Sequence, residues 1–230
     1  MTEHSYVLAV DIGQANDYTA LVVLDSYGVW KRKDGSASSP SDWPSDRVAD
    51  RRHDVVHAER FRGLSYPAQI ERIRERHGEL QRISVERRNS RVRVVVDATG
   101  VGKPILDALR EAGLRARGVI ITGGETASRD GGIDRVPKRE LVTTLQVALQ
   151  AGRLQIAADL PLAETLLSEF RGFKVKITLN GHARFGNDVG AWREQDHDDL
   201  VLATALGTWL VEAHKMPSLE ALRRANGLAR

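Results

Sequence analysis

Two short aliphatic runs each end on an aspartate, and this feature restricts the fold of the chain more than any other. The first run spans residues 7–10 and leads into Asp11, and the second spans residues 92–96 and leads into Asp97. Such short runs, rich in valine, are typical of strands buried on both faces of a sheet. A sheet of this kind needs helices on both sides. The sequence therefore predicts an α/β fold in which a mixed β-sheet is flanked by α-helices.

A third acidic motif, His197-Asp198-Asp199, opens a very apolar segment that is predicted to be a helix over residues 198–214. An ionised carboxylate beside apolar structure is costly unless a cation meets it. Ligands gather beyond the strand ends of such sheets, so Asp11, Asp97 and the 198–199 pair can share one site. Oxygen-only ligand sets suit Mg²⁺ or Mn²⁺. Alone, the pair could equally cap the helix, but the three motifs together indicate a metal-dependent phosphoryl-transfer site.

The composition excludes several classes of protein. The 230 residues include no cysteine, which excludes a disulfide framework, a thiolate metal site and cysteine catalysis. No apolar stretch reaches the length of a membrane span and no signal-peptide pattern opens the chain, so we expect a soluble intracellular protein without a membrane partner. The net charge is only +3, yet residues 51–93 hold 12 arginines against six acidic residues. This block is expected to present a solvated helix face with ion pairs, and towards its end, from Arg82 to Arg93, either a further solvated surface or a surface for a polyanion.

The remaining segments predict one main domain. Residues 122–135 contain four glycines and no apolar pattern, which predicts a mobile loop. The pair Asn180-Gly181 lies between two short runs and predicts an auxiliary β-hairpin over residues 173–186. We expect a single domain over residues 1–215 and a C-terminal tail over residues 216–230.

Four stretches, at residues 10–13 together with 17–20, 95–102, 136–141 and 197–203, match the pattern of a known family in order and spacing. Through them the chain resembles the nuclease domain of tailed-phage terminase large subunits, within the ribonuclease H-like superfamily. The resemblance implies a ribonuclease H-like mixed sheet with an added β-hairpin beside the active site. It also implies an endonuclease that cleaves double-stranded viral DNA concatemers during genome packaging, by two-metal hydrolysis of the phosphodiester bond.

The same resemblance implies roles for individual residues. Asp11 is expected to bridge two Mg²⁺ or Mn²⁺ ions, with Asp97 on one ion and Asp199 on the other. Asp198 is expected to be a supplementary ligand. Auxiliary roles are open to Asp17, Asp196 and His197, of which the first could equally shape its turn and the last could equally cap the helix. The candidate DNA contacts are Arg129, Lys138, Arg139, Lys174, Lys176 and Arg184.

A complete large terminase also carries an ATPase motor, and the chain shows no motif for one. The stretch Gly100–Pro104 lacks the glycine at position 97 and the Ser or Thr at position 104 that a phosphate-binding loop requires. We therefore expect an excised domain or a separate nuclease chain. The resemblance implies an ATPase motor domain or subunit, a portal and a small terminase as partners, in the cytoplasm of the infected bacterial host.

Three other readings compete with this one. A Holliday-junction resolvase-like nuclease uses a similar acidic set on a smaller, dimeric domain. A sugar-kinase or actin fold also opens on an Asp-x-Gly strand, but it needs a second phosphate loop and roughly twice the length. A non-catalytic DNA-binding or packaging interaction module would keep the carboxylates for structure alone, although every acidic motif is present.

Overall fold

The computed structural model describes residues 4–13, 17–32, 34, 47–87, 90–100, 102–179 and 198–213. Within these residues the strands are β1 (His4–Asp11), β2 (Thr19–Arg32), β3 (Arg47–Phe61), β4 (Ser90–Asp97), β5 (Ala116–Thr122), β6 (Ser128–Asp130), β7 (Ile133–Pro137) and β8 (Leu154–Ile156). The helices are α1 (Tyr66–Glu86), α2 (Gly102–Glu111), α3 (Lys138–Gln150), α4 (Ala163–Leu179) and α5 (Asp199–Ala213).

The strands form one mixed sheet in the order β6-β7-β5-β4-β1-β2-β3-β8. Strands β1, β4, β5 and β7 run parallel to one another, whereas β2 runs antiparallel to both of its neighbours. The four parallel strands therefore finish at one end of the sheet, which we call the carboxyl end. This arrangement confirms the predicted mixed sheet flanked by helices.

Helices cover both faces of the sheet. Val7 and Ala9 of β1 pack into a core with α3, α4 and α5, and we call this side of the sheet the α5 face. Leu8 and Val10 point the other way, into a core with α1 and α2. Because successive residues of a strand point to opposite faces, every residue of the first run is buried, as its uniformly apolar sequence predicted.

Helix α5 is buried along almost its whole length, from Leu200 to Val211. A helix without a polar stripe must be surrounded by other elements. Here it lies between the sheet on one side and α3 and α4 on the other. No described helix combines the length and the apolar character needed to cross a membrane.

The predicted hairpin strand at residues 173–179 is wrong, because these residues continue helix α4. Leu166, Phe170 and Phe173 recur at helical spacing and are all buried, so the apolar stripe of α4 runs into the segment. The Asn-Gly pair after residue 179 had suggested a strand here, but the packing of α4 determines the structure of this segment. Residues 180–186, which include the Asn-Gly pair, lie outside the described part of the chain.

A different hairpin occupies the segment that was predicted to be a loop. Strands β6 and β7 pair antiparallel across Gly131 and Gly132. Both glycines have positive φ angles, of 56° and 81°, which a tight two-residue hairpin turn requires and which glycine adopts without strain. The prediction of a loop over residues 122–135 is therefore wrong from residue 128 onwards.

Candidate active site

Asp11 and Asp97 are direct partners in the parallel pairing of β1 with β4. Adjacent strands lie about 4.8 Å apart, and register partners point to the same face, so the two carboxylates are neighbours. Asp11 is two residues after Ala9, and Asp97 is two residues after Val95. Because alternate residues of a strand share a face, and Ala9 and Val95 pack on the α5 face, both aspartates lie on that face as well. Both are also buried, with exposed fractions of 7% and 3%. The structure thus places two of the predicted acidic residues side by side at the carboxyl end of the sheet.

The turn after β4 holds the Asp97 carboxylate in place. The backbone N–H of Thr99 donates to Asp97 Oδ1 at 2.8 Å, and the Thr99 hydroxyl donates to the same oxygen. The hydroxyl oxygen of Thr99 in turn accepts the N–H of Ile121 on β5, also at 2.8 Å. Asp97 is consequently oriented by its own turn and by the neighbouring strand.

The chain after Asp11 is equally constrained. The Gly13 N–H donates to Thr19 Oγ1 at 3.0 Å, and that hydroxyl donates to Oε1 of the buried Gln69 on α1 at 2.8 Å. A Cβ atom at Gly13 would lie 2.4 Å from the carbonyl oxygen of Tyr18. Only glycine fits this close backbone approach, so the strand end that bears Asp11 is fixed on both sides.

Helix α5 brings the third acidic motif towards this pair. A Cβ atom at Gly207 would lie 3.2 Å from Cβ of Ala9, and the guanidinium of Arg93, further back along the sheet, donates to the carbonyl of Leu210 at 3.4 Å. The helix therefore runs antiparallel to β1. From Ala9 to Asp11 the strand rises about 7 Å, a distance that α5 covers in four to five residues. Its N-terminus thus lies about one helical turn beyond the level of Asp11.

Asp198 occupies the N-cap position of α5, since its carbonyl accepts the first intrahelical bond, from the N–H of Leu202 at 2.9 Å. Its side chain is buried, and that of Asp199 is half-buried. Carboxylates here are favoured by the positive end of the helix dipole. The helix start therefore accounts for part of this acidic motif, as its sequence also allowed.

Glu169 of α4 is an acidic residue at this point that the sequence analysis did not single out. Its Oε2 atom accepts the N–H groups of Leu200 and Val201, both at 3.1 Å, and its Oε1 atom pairs with Arg60 at 3.0 Å. Burial raises the pKa of Glu169 to about 7, and the charge of Asp199 adds to this effect, while the backbone N–H of Val201 and the Arg60 guanidinium oppose it. The signal in the sequence that could have revealed Glu169 is its position beside the apolar residues of α4, which suggests a buried carboxylate.

Among the described residues, no three histidine, aspartate or glutamate side chains are grouped as a metal site. The donor set at the carboxyl end nevertheless consists of carboxylates, which is the chemistry that Mg²⁺ and Mn²⁺ favour. Asp17 is exposed at the bend before β2. Asp196 and His197 lie outside the described part of the chain.

The predicted DNA contacts are spread over several elements. Lys138 opens α3 at the carboxyl end of the sheet, with its Nζ atom 5.8 Å from the centre of the Phe173 ring, and Arg139 beside it is exposed. Arg129 is exposed on the edge strand β6, with its Nε atom 4.0 Å from Asp134. Lys174 and Lys176 fall in α4 and not on a strand of the predicted hairpin. Arg184 lies outside the described residues.

Comparison with known proteins agrees with this architecture. Residues 8–208 match the model of a family described as the terminase RNaseH-like domain. The chain belongs to this family, which confirms the resemblance seen in the sequence.

Two curated relatives are the terminase large subunits of Thermus virus P23-45 and Thermus phage G20c. Each is 22% identical to the chain over 204 residues, which cover 89% of the chain but 31% of the relative. The chain thus spans about a third of the length of these relatives.

Solved structures with a similar chain path include the large terminase nuclease of thermophilic phage G20c, with a TM-score of 0.45 and 21% identity over 89% of this chain and 81% of that one. Another is the human cytomegalovirus terminase nuclease domain soaked with Mn, with a TM-score of 0.44 and 12% identity over 91% of this chain and 85% of that one.

Proposed function

We propose that the chain is a divalent-metal-dependent endonuclease that cuts double-stranded viral DNA concatemers during genome packaging. The observation that supports this most directly is the register pairing of Asp11 with Asp97, two buried carboxylates on one face of the sheet. Two buried like charges on neighbouring strands are unfavourable without a cation. Membership of the terminase RNaseH-like family supports the choice of DNA as the substrate.

In this proposal Asp11 would be the ligand shared by two Mg²⁺ or Mn²⁺ ions, Asp97 would be a ligand of one ion, and Asp199, with Asp198 in support, would be a ligand of the other. When bound, such ions would supply an activated water and would stabilise charge on the phosphate and the leaving oxygen. The protein contributes the fixed positions of its carboxylates. Thr99 orients Asp97 through two hydrogen bonds, and the cap that Glu169 forms at the start of α5 fixes the position of Asp199.

The wider assignment follows the family. Residues 1–215 would form the nuclease domain and residues 216–230 a tail. An ATPase motor domain or subunit, a portal and a small terminase would be its partners, in the cytoplasm of the infected host. The proposed phosphate contacts are Arg129, Lys138, Arg139, Lys174, Lys176 and Arg184.

Incubation with supercoiled plasmid tests the proposal. We expect nicked and linear products with Mn²⁺ or Mg²⁺ and none with EDTA, with little sequence preference. The matched control is Asp97→Asn, which keeps the size of the side chain and one acceptor oxygen for Thr99 but removes the charge. Cleavage that persists in EDTA, or in purified Asp97→Asn protein, would contradict the proposal.

A further inference from the structure

Tyr18 lies at the carboxyl end of the sheet with two arginines against its ring. The guanidinium carbon of Arg60 is 4.3 Å from the ring centre and that of Arg62 is 5.1 Å from it. Both distances are within the range in which a guanidinium is attracted to an aromatic face. The ring therefore holds two cationic side chains in fixed positions beside the candidate active site.

Strand pairing locates this cluster relative to the acidic pair. Asp11 is the register partner of Ala20 on β2, and Ala20 is the register partner of Arg60 on β3. Directly opposite residues share a face, so Arg60 lies on the α5 face at the level of Asp11. The two backbones are separated by two strand spacings, or about 10 Å. Tyr18 is two residues before Ala20, and Arg62 is two residues after Arg60, so both lie just beyond the ends of these paired strands.

The two arginines differ in what else they contact. Arg60 is mostly buried and pairs with Glu169, which in turn caps α5. Arg62 is exposed, and among the described residues no carboxylate pairs with it. The first therefore belongs to the internal structure of the site, whereas the second presents a positioned guanidinium to solvent.

We propose that Arg62, held against Tyr18, binds a backbone phosphate of the DNA strand next to the bond that is cut. This inference rests on the proposed nuclease function and adds a substrate-binding residue to it. A cluster of carboxylates repels a polyanion, so a cation close to it is needed to bring DNA within reach. The planar guanidinium matches the geometry of a phosphate, and stacking on the ring reduces the side-chain entropy lost on binding.

Binding of a 30-base-pair duplex, measured by fluorescence anisotropy, tests this role. The measurement uses the whole chain in the Asp97→Asn background with Mg²⁺, so that cleavage does not interfere. Arg62→Ala is expected to weaken binding about fivefold to tenfold and to reduce the slope of log affinity against log salt by about 0.9, which corresponds to one phosphate contact. The matched control is Arg74→Ala, an exposed arginine of α1 on the other face of the sheet that pairs with Glu71 and should bind as the unchanged protein does.

Two more variants separate charge from stacking. Arg62→Lys keeps the charge and should preserve the salt slope while losing part of the affinity. Tyr18→Phe keeps the ring and should bind normally, whereas Tyr18→Leu should weaken binding in the same direction as Arg62→Ala. The inference is overturned if Arg62→Ala matches Arg74→Ala in affinity and slope while the unmodified protein still cleaves plasmid. If the unmodified protein neither binds nor cleaves DNA, the proposed function fails together with it.

Discussion

Both ends of helix α5 have carboxylates close by, but the pKa of the carboxylate is lowered at one end and raised at the other. At its C-terminal end Glu212 accepts from Arg153 at 2.8 Å and lies 3.2 Å from the buried His53. Hydrogen bonding to His53, together with the Arg153 guanidinium, lowers the pKa of Glu212 to about 2 against the opposing effect of burial. Arg51 and Arg93 donate to the carbonyls of residues 211 and 210, at the end of the helix where the dipole favours cations.

At the N-terminal end acidic groups accumulate instead. Asp198, Asp199 and Glu169 lie at the helix start, about one helical turn beyond the level of the Asp11–Asp97 pair. There the pKa of Glu169 is raised to about 7 rather than lowered. At the C-terminal end the carboxylate of Glu212 thus has cationic partners, which stabilises the fold. The N-terminal end instead gathers several carboxylates, one of which, Glu169, pairs with Arg60, and such clusters are characteristic of functional sites.

The largest expected effect concerns the Asp11–Asp97 pair. Asp11→Asn and Asp97→Asn should each reduce plasmid cleavage by roughly 10³-fold, because a lost metal ligand removes several kcal/mol of transition-state stabilisation. Stability should stay level or rise, since one of two neighbouring like charges is gone. Cleavage rate and urea unfolding of the same samples check both statements. A variant that keeps its activity, or that unfolds, would place its aspartate among purely structural residues.

A smaller effect is expected for Thr99→Val, which preserves the shape of the side chain but removes the hydroxyl between Asp97 and Ile121. Groups that orient a metal ligand typically contribute 10- to 100-fold, so cleavage should fall by about that factor. Raising the Mn²⁺ concentration should recover part of the loss. Thr143→Val, an exposed change on α3, serves as the control. An unchanged metal requirement would show that the turn is not needed to orient Asp97.

At the other end of α5, Glu212→Gln should cost about 2 kcal/mol of folding free energy at pH 7. The pKa of Glu212 is lower in the folded state, so its contribution is complete above pH 4.5 and disappears as the pH falls towards 2. Urea unfolding at pH 7 and pH 3 measures the difference, with the exposed Glu111→Gln as control. Equal stability of the two variants at pH 7 would remove the contrast between the helix ends.

Glu169→Gln should give the smallest effect and the opposite pH dependence. Its raised pKa means that the protonated form favours folding, so its contribution is present below pH 4.5 and is lost as the pH rises through 7. Relative to the unmodified protein, the variant should gain about 1 kcal/mol between pH 5 and pH 8 in EDTA, while its amide oxygen still caps α5. Urea unfolding across this range checks the sign. A loss of stability over this pH range, as expected for Glu212→Gln, would break the comparison.

Local patterns were sufficient for the elements that form the site. The valine-rich run before Asp97 and the aliphatic run before Asp11 predicted buried strands, and the strands lie where expected. The apolar segment after residue 198 predicted a helix, and α5 confirms it. These segments are buried on all sides, so their own composition already reflects their surroundings.

The predictions that failed depended on distant contacts. The Asn-Gly pair that follows residues 173–179 suggested a hairpin strand, yet α4 is extended by the burial of Phe173. The role of Glu169 depends on Leu200 and Val201, more than 30 positions away, and no local pattern reveals such a bond. Likewise, Gly131 and Gly132 were recognised as flexible, but only the partner strand β5 shows why a hairpin forms there.

The burial of α5 on every side has a consequence for the timing of assembly. A segment this apolar has no solvated face, so it is stable only after the sheet, α3 and α4 are present to receive it. The carboxylates at its start consequently join those of the first strand at a late, cooperative step of folding. On the proposed function, a partly folded chain would therefore lack the complete acidic site, and loss of α5 would remove structure and chemistry together.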